Sequence, residues 1–361
     1  MMTELERFQA TVAHQKHNEW LYHAGFTPDL ERRIRERFGL GPTNSISRYF
    51  GMFEPVSVGL RPPENLEKPD FWPYYREMEI AEGAKLDGFG VLHEPGSMYH
   101  FTHRISPLRN AEKLEDIETF PYPNLDGFTD ESMAAQVEQA HAAGRVATCW
   151  IGHMYETAWQ IRDYEGFLID MVTRPEWANY ILDRLTERNI KVAEAAARAG
   201  VDYLRTGDDV ANQNSLMFSP DQWRTFIKAR WAKVYDAARA IKPDIEIWYH
   251  SDGNIEAIIP ELIEIGVTIL NPVQPECMDV LEIKRSYGQD LVLDGVIGTQ
   301  TTMPFGSPDD VRAIVRERIK TLGYDGAFIG APTHVLEPEV PIENFEAFVE
   351  VMQQRVKHDF S

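Results

Sequence analysis

Cysteine is almost absent from this chain: Cys149 and Cys277 are the whole complement. Two thiols do not make a disulfide framework, so 361 residues have to be held by core packing. A reduced cytoplasm is the expected compartment. Long apolar runs are missing too. No window of about 18 apolar residues occurs, so no membrane-spanning helix is expected. The first residues (MMTELERFQATVAHQKH) have no apolar stretch of the kind a secretory leader needs. Basic residues are the third shortage. Thirty-six Lys and Arg stand against 57 Asp and Glu, a formal net charge of −21. That field repels nucleic acid and anionic membrane surfaces. It also disfavours a highly anionic substrate unless a local basic pocket gathers it. No internal repeat and no long linker are visible, so a single structural domain is expected.

What the chain has is a succession of apolar stretches that each end in reactive side chains. Arg145–His153 ends on His153, followed by Tyr155 and Glu156. Val201–Asp209 ends on the pair Asp208 and Asp209, and Ile245–Asp252 on His250 and Asp252. Val267–Cys277 ends on Asn271, Gln274 and Cys277, and Tyr324–His334 on His334. Helical patterns separate them. Thr129–Ala143 is stopped by Gly144, Arg174–Gly200 opens on Pro175, and Ser219-Pro220 and Ser307-Pro308 each start another helix. Strand–helix units with chemistry at the strand exits are how a (β/α)8 barrel builds its site. The expected class is therefore α/β, a (β/α)8 TIM barrel over residues 76–361. Residues 1–75 read as a partly helical N-terminal extension packed on it, with a short helix at Glu31–Phe38 and a strand near Pro55–Leu60. Leu86–His93 reads as a further strand.

The exits differ in what they offer. His250-Ser251-Asp252-Gly253 places an imidazole and a carboxylate on one turn, a normal partial ligand set for zinc. The same residues read equally well as a helix cap and a hydrogen-bonded barrel histidine. Cys277 reads as a thiolate ligand or as a small buried residue beneath its loop. Cys149, inside a strand, reads as core. Asp208 and Asp209 are adjacent acids, and strand alternation turns only one into the cleft; Asp209 is the expected inward one. His93, His100 and His103, with Glu94, Tyr99 and Arg104, read as loop residues at the cleft mouth. The glycines of Gly295–Gly298 (GVIG) follow a strand but match no nucleotide-binding pattern.

Four stretches resemble the uroporphyrinogen decarboxylase superfamily: GDDVANQNSLMFSPDQW (207–223), WYHSDGNIEAIIPELIEIGVTILNPVQPECMD (248–279), GVIGTQTTMPFGSPDDV (295–311) and GAPTHVLEPEVPIENFEAF (330–348). The resemblance spans residues 80–355 and implies a (β/α)8 barrel. It also implies one of two chemistries. One is cofactor-free decarboxylation of uroporphyrinogen. The other is zinc-dependent methyl transfer between a corrinoid protein and a thiol. In the methyltransferases zinc is held by a His-x-Cys turn and a later cysteine. Here the turn falls at His250 with Asp252 in the cysteine's place, and the later position falls at Thr333-His334. Cys277 has no counterpart in that pattern. The arginine-bearing R-Q-A-G-R segment and the F-S-D-I-like turn of true decarboxylases are missing, and with them a cationic clamp for eight carboxylates.

Zinc-dependent methyl or alkyl transfer is accordingly the expected function, with a corrinoid or a small methylated compound as donor or acceptor. His250, Asp252, His334 and Cys277 are the expected zinc ligands. Asp209 or His153 is the expected proton-transfer group, with His334 a further catalytic candidate. Asp208, Tyr155, Glu156, Asn271 and Gln274 are expected to bind substrate. A cofactor-free decarboxylase and a non-catalytic corrinoid- or tetrapyrrole-binding protein are the alternatives. The expected partners are a small-molecule substrate, a corrinoid protein and, as in decarboxylase relatives, a second copy of the chain.

Overall fold

Residues 2–96 and 103–354 are described by a computed structural model. Eight short strands form one curled sheet: β1 (Leu21–Tyr22), β2 (Val56–Ser57), β3 (Ala147–His153), β4 (Tyr203–Gly207), β5 (Glu246–His250), β6 (Ile269–Asn271), β7 (Val292–Asp294) and β8 (Phe328–Gly330). Their spatial order is β1-β8-β7-β6-β5-β4-β3-β2, and every ladder is parallel. Chain neighbours from β2 to β8 are spatial neighbours, and the last strand returns to the first. This is a (β/α)8 barrel. Among the described residues no ladder joins β1 to β2; Phe53 N donates to Tyr22 O across that seam.

Residues 1–75 supply two of the eight barrel strands. β1 lies in a stretch without strand periodicity because two residues are too few to alternate. The helix Glu4–Val12 seals the N-terminal mouth of the barrel. Its Phe8, 2% exposed, stacks on Phe53 and Tyr203 at centroid distances of 6.0 and 5.3 Å. Leu21, Ile269, Val292 and Ile329 close around it as an apolar floor. Such a plug leaves only the opposite mouth for chemistry.

Leu86–His93 does not form one barrel strand. Lys85–Leu86 and Leu92–Glu94 pair antiparallel, joined by a turn, and His103–Ile105 completes a separate three-stranded sheet. The turn is set by Asp87, whose Oδ1 accepts from Phe89 N and Val91 N, and by Gly90 at φ 78°. Of the histidines expected at the cleft mouth, His100 lies outside the described residues, as does Tyr99. His93 and His103 are tied to Asp87 and Glu94.

The helices start where their caps are written. Ser219 and Ser307 each accept from the backbone three residues on, with proline at the first helical position of Pro220–Trp223 and Pro308–Leu322. The helix after Trp223 passes through a five-residue π segment, Arg224–Lys228, before Ala229–Ile241 packs on Pro175–Ala199. Trp223, Trp231 and Tyr235 are fully buried there. No helix among the described residues is long and apolar enough to cross a membrane.

Candidate active site at the strand exits

β3, β4 and β5 build the centre of the rim. Their register sets His153 beside Gly207 and Gly207 beside His250. A bulge between Trp150 and Gly152 shifts β3 by one residue. Trp150 and His153 would face opposite sides of a regular strand, but here their rings meet edge to face at 4.9 Å. The bulge is what aims His153 along the barrel interior.

At the exit of β4 the strand alternation divides the two acids. Asp208 continues the outward face of Thr206 and is fully buried. Its Oδ1 accepts from Met154 N at 2.7 Å and Glu156 N at 3.1 Å, and its Oδ2 from Trp231 Nε1 at 2.8 Å. Burial pushes its carboxyl up to about 7, against the pull of His153. A carboxylate spent in this way has no surface left for a substrate, so the expected substrate-binding role of Asp208 gives way to a structural one. Asp208 pins the β3 exit to the helix behind it. Tyr155 is corrected in the same sense. It is fully buried and packs on Phe218 and Phe167, behind the site.

Asp209 turns the other way. Its Oδ1 accepts from Asp252 N at 2.8 Å and lies 3.6 Å from His250 Nε2. Asp252 Oδ1 lies 3.9 Å from the same nitrogen. Ligand-capable atoms of Asp209, His250 and Asp252 all fall within 4.8 Å of one another. His250 is fixed from behind: its Nδ1 sits 2.8 Å from Asn271 Oδ1, and its ring stacks on Trp248 at 5.7 Å. An amide oxygen only accepts, so Nδ1 carries a proton, and Nε2 is the nitrogen that faces the acids. Asp252 is held above the usual carboxylate range by burial, opposed by His250 and reinforced by the charge of Asp209.

A second cluster adjoins the first. His153 Nδ1 lies 2.8 Å from both Gly207 O and Glu156 Oε2. Burial works against a charged ring, but the Glu156 carboxylate outweighs it and raises His153 to about 9. Glu156 Oε2 also accepts from Asp209 N at 3.2 Å, so one carboxylate couples the two clusters. Asn271 and Gln274, expected to touch substrate, brace the turn: Gln274 Oε1 accepts from Gly253 N at 3.2 Å. Gly295 packs on Asn271 and Pro272 at φ 74°, where a side chain would collide with Asn271 Nδ2. That close approach, rather than phosphate binding, accounts for the first glycine of GVIG.

The remaining expected ligands lie at the margins. A cavity of about 560 Å³ opens over Asp252, lined by Gln274, Gln300, Phe305, His334 and Glu339 among others. His334 is exposed on its wall, near enough to lower the Asp252 carboxyl but outside the three-residue group. Cys277 is half-buried in a different recess, beside Glu276 and Arg318, and is not part of the group either. Two features of the barrel interior lie outside the residues that the sequence singles out. Asp294 accepts from Trp248 Nε1 and pairs with His23, each at 2.8 Å. Arg205 stands mid-strand on β4. Its signal was present, an arginine at an inward position of the apolar run VDYLRTG.

A (β/α)8 barrel with convergent acids and imidazoles at three adjacent strand exits defines a class of proteins whose site is the barrel's C-terminal mouth. The uroporphyrinogen decarboxylase (URO-D) family model matches residues 143–355, more than half of the chain, and the chain belongs to that family. Among solved structures it is similar to a methyltransferase from Methanosarcina mazei, at 19% identity over 98% of each chain and a TM-score of 0.67. That similarity is one of fold. An endo-1,4-beta-xylanase from Caldicellulosiruptor owensensis covers 66% of this chain and 88% of its own at 13% identity, with a TM-score of 0.38. No curated protein matches the chain.

Proposed function

We propose that this chain is a zinc-dependent methyl- or alkyltransferase whose ion is held by Asp209, His250 and Asp252. The observation that carries the reading is the spacing of those three donors, within 4.8 Å of one another around His250 Nε2. Tetrahedral zinc with bonds of about 2.0–2.1 Å spaces its ligand atoms about 3.3 Å apart. The separations of 3.6 and 3.9 Å are close to that value. The donor chemistry fits as well. Two carboxylates and one imidazole suit a borderline divalent ion, and Asn271 supplies the outer hydrogen bond that a ligating histidine needs. Two adjacent acids of which one is pushed up by burial and the other's charge are relieved by a cation between them. The set differs from the expectation: Asp209 replaces Cys277, and His334 lines the approach.

When bound, the ion would act as a Lewis acid on the heteroatom that gains or loses the alkyl group. The chain's own residues do the rest. His153, with Nδ1 engaged by Glu156 and Gly207, keeps a proton on Nε2 for a leaving heteroatom. Glu156 holds that imidazolium and the backbone of Asp209 in one arrangement. His334, Gln300 and Phe305 line the wall that the substrate passes. The donor or acceptor partner is a corrinoid protein or a small methylated compound.

The test is metal analysis of protein expressed with added zinc and purified without chelator, followed by methyl transfer between a methylated corrinoid and a thiol. About one equivalent in the wild type, most of it lost in His250→Ala together with the activity, supports the reading. Metal far below one equivalent in both proteins would contradict it, as would full transfer activity after chelation.

A further inference from the structure

The barrel interior beneath the rim holds a charge that the chemistry above does not use. Arg205 lies mid-strand on β4, and its register partners are Trp150 on β3 and Trp248 on β5. Its guanidinium carbon lies 5.6 Å from the Trp150 ring and 5.0 Å from the Trp248 ring. Among the described residues no carboxylate is within ion-pair distance of it and no acceptor takes its N–H groups. The two acids that line the cavity are already committed: both oxygens of Asp294 are taken, one by His23 and the other by Trp248 Nε1, and Glu54 accepts from Ser45 and Arg48.

A guanidinium set inside a barrel without a counter-ion is costly, and two indoles offset only part of that cost. The neighbouring strands cover its flanks, so its N–H fork is left to the space in front. That space is a cavity of about 280 Å³ lined by Arg205, His23, Ser57, Thr148, Trp248 and Asp294, with the apolar floor of Phe8, Ile269 and Ile329 below. A planar fork matches a carboxylate with two parallel hydrogen bonds. A phosphate dianion suits it less, because Asp294 and Glu54 share the cavity and the chain as a whole carries −21. A 150 Å³ cavity holds benzene, so this one holds a ligand of roughly ten non-hydrogen atoms. It also lies next to the rim cluster, since Trp248 stacks on Arg205 and on His250 alike.

We propose that Arg205 is the receptor for the carboxylate of a small monoanionic organic acid. The acid's body lies in the barrel cavity and its far end reaches toward Asp209, His250 and Asp252. This names a substrate class for the site and rests on the preceding reading for the direction of the far end. Capture of the carboxylate itself needs no ion.

Benzoate and its neutral isostere benzamide are suitable probes, titrated into chelator-treated protein and followed by calorimetry and tryptophan emission. Saturable benzoate binding is expected, with benzamide at least about ten-fold weaker, the discrimination of one charge-assisted pair. Arg205→Met should weaken benzoate at least about ten-fold while its thermal midpoint reports a folded barrel. Should Arg205→Met fail to fold, the contrast between benzoate and benzamide on the wild type decides alone. No saturable benzoate binding up to about 20 mM, equal binding of the two probes, or unchanged binding in folded Arg205→Met would overturn the proposal. Metal content of the untreated protein is measured separately. Benzoate capture in the stripped protein therefore stands or falls independently of the zinc reading.

Discussion

Asn271 holds His250 in place: the amide oxygen accepts from Nδ1 at 2.8 Å and leaves Nε2 facing Asp209 and Asp252. The two residues are register partners on adjacent strands, so the contact is built into the β5–β6 ladder. Asn271→Ala should therefore keep the fold and lower metal affinity by about 10–100-fold, the usual effect of removing such an outer hydrogen bond. A competition titration against a zinc chelator measures this. Unchanged affinity would mean that the ring is not positioned through Asn271.

The cysteines give a chemical readout of which residues ligate. Cys277 is half-buried in a recess outside the three-donor group, and burial, the nearby Glu276 carboxylate and, more weakly, Asp252 raise its thiol. Cys149 is 1% exposed and pushed up to about 12 by burial. Iodoacetamide should label Cys277 slowly and at the same rate with and without metal. Cys149 should react only once the protein unfolds. Protection of Cys277 by added zinc would return it to the ligand set.

The barrel floor makes a stability prediction. Phe8 is the plug that Phe53 and Tyr203 stack on, and truncating a buried aromatic leaves a cavity. Phe8→Ala should cost about 3–5 kcal/mol in urea unfolding. A loss below about 1 kcal/mol would mean that the helix Glu4–Val12 does not close the barrel.

Acid sensitivity should be traceable to one ion cluster. Glu261 accepts from Arg224 and Lys228, which hold its carboxyl down to about 2. A depressed carboxyl contributes stability above its unfolded value near 4.5 and loses it as pH falls toward 2. The cluster lies at the surface, so Glu261→Gln should cost no more than about 1 kcal/mol at pH 7. The gap between the two thermal midpoints should close as pH drops below about 4.5. A gap independent of pH would remove the ion cluster as its cause.

The barrel was legible in the sequence because its middle strands end in conspicuous polar clusters and its helices open on Ser-Pro pairs. β1 was not, since two residues carry no period. Leu86–His93 misled because two paired strands and their turn have the same apolar content as one longer strand. His250 and Asp252 were legible from their spacing, and the inward turn of Asp209 from strand alternation. What sequence could not supply was long-range pairing. Nothing in the order of residues says that Asp208 meets Trp231, that Cys277 falls outside the group around His250, or that a bulge brings the rings of His153 and Trp150 together. Arg205 is not legible there, because a lone cation in a strand looks like a surface residue until its two tryptophan neighbours are in place.

The most direct test of the central claim is the X-ray absorption spectrum of the zinc-loaded protein, taken beside its metal stoichiometry. Asp209, His250 and Asp252 predict about one zinc with oxygen and nitrogen ligands at about 2.0–2.1 Å, one imidazole among them, and no sulfur. Absence of bound zinc, or a sulfur ligand at about 2.3 Å, would contradict the account.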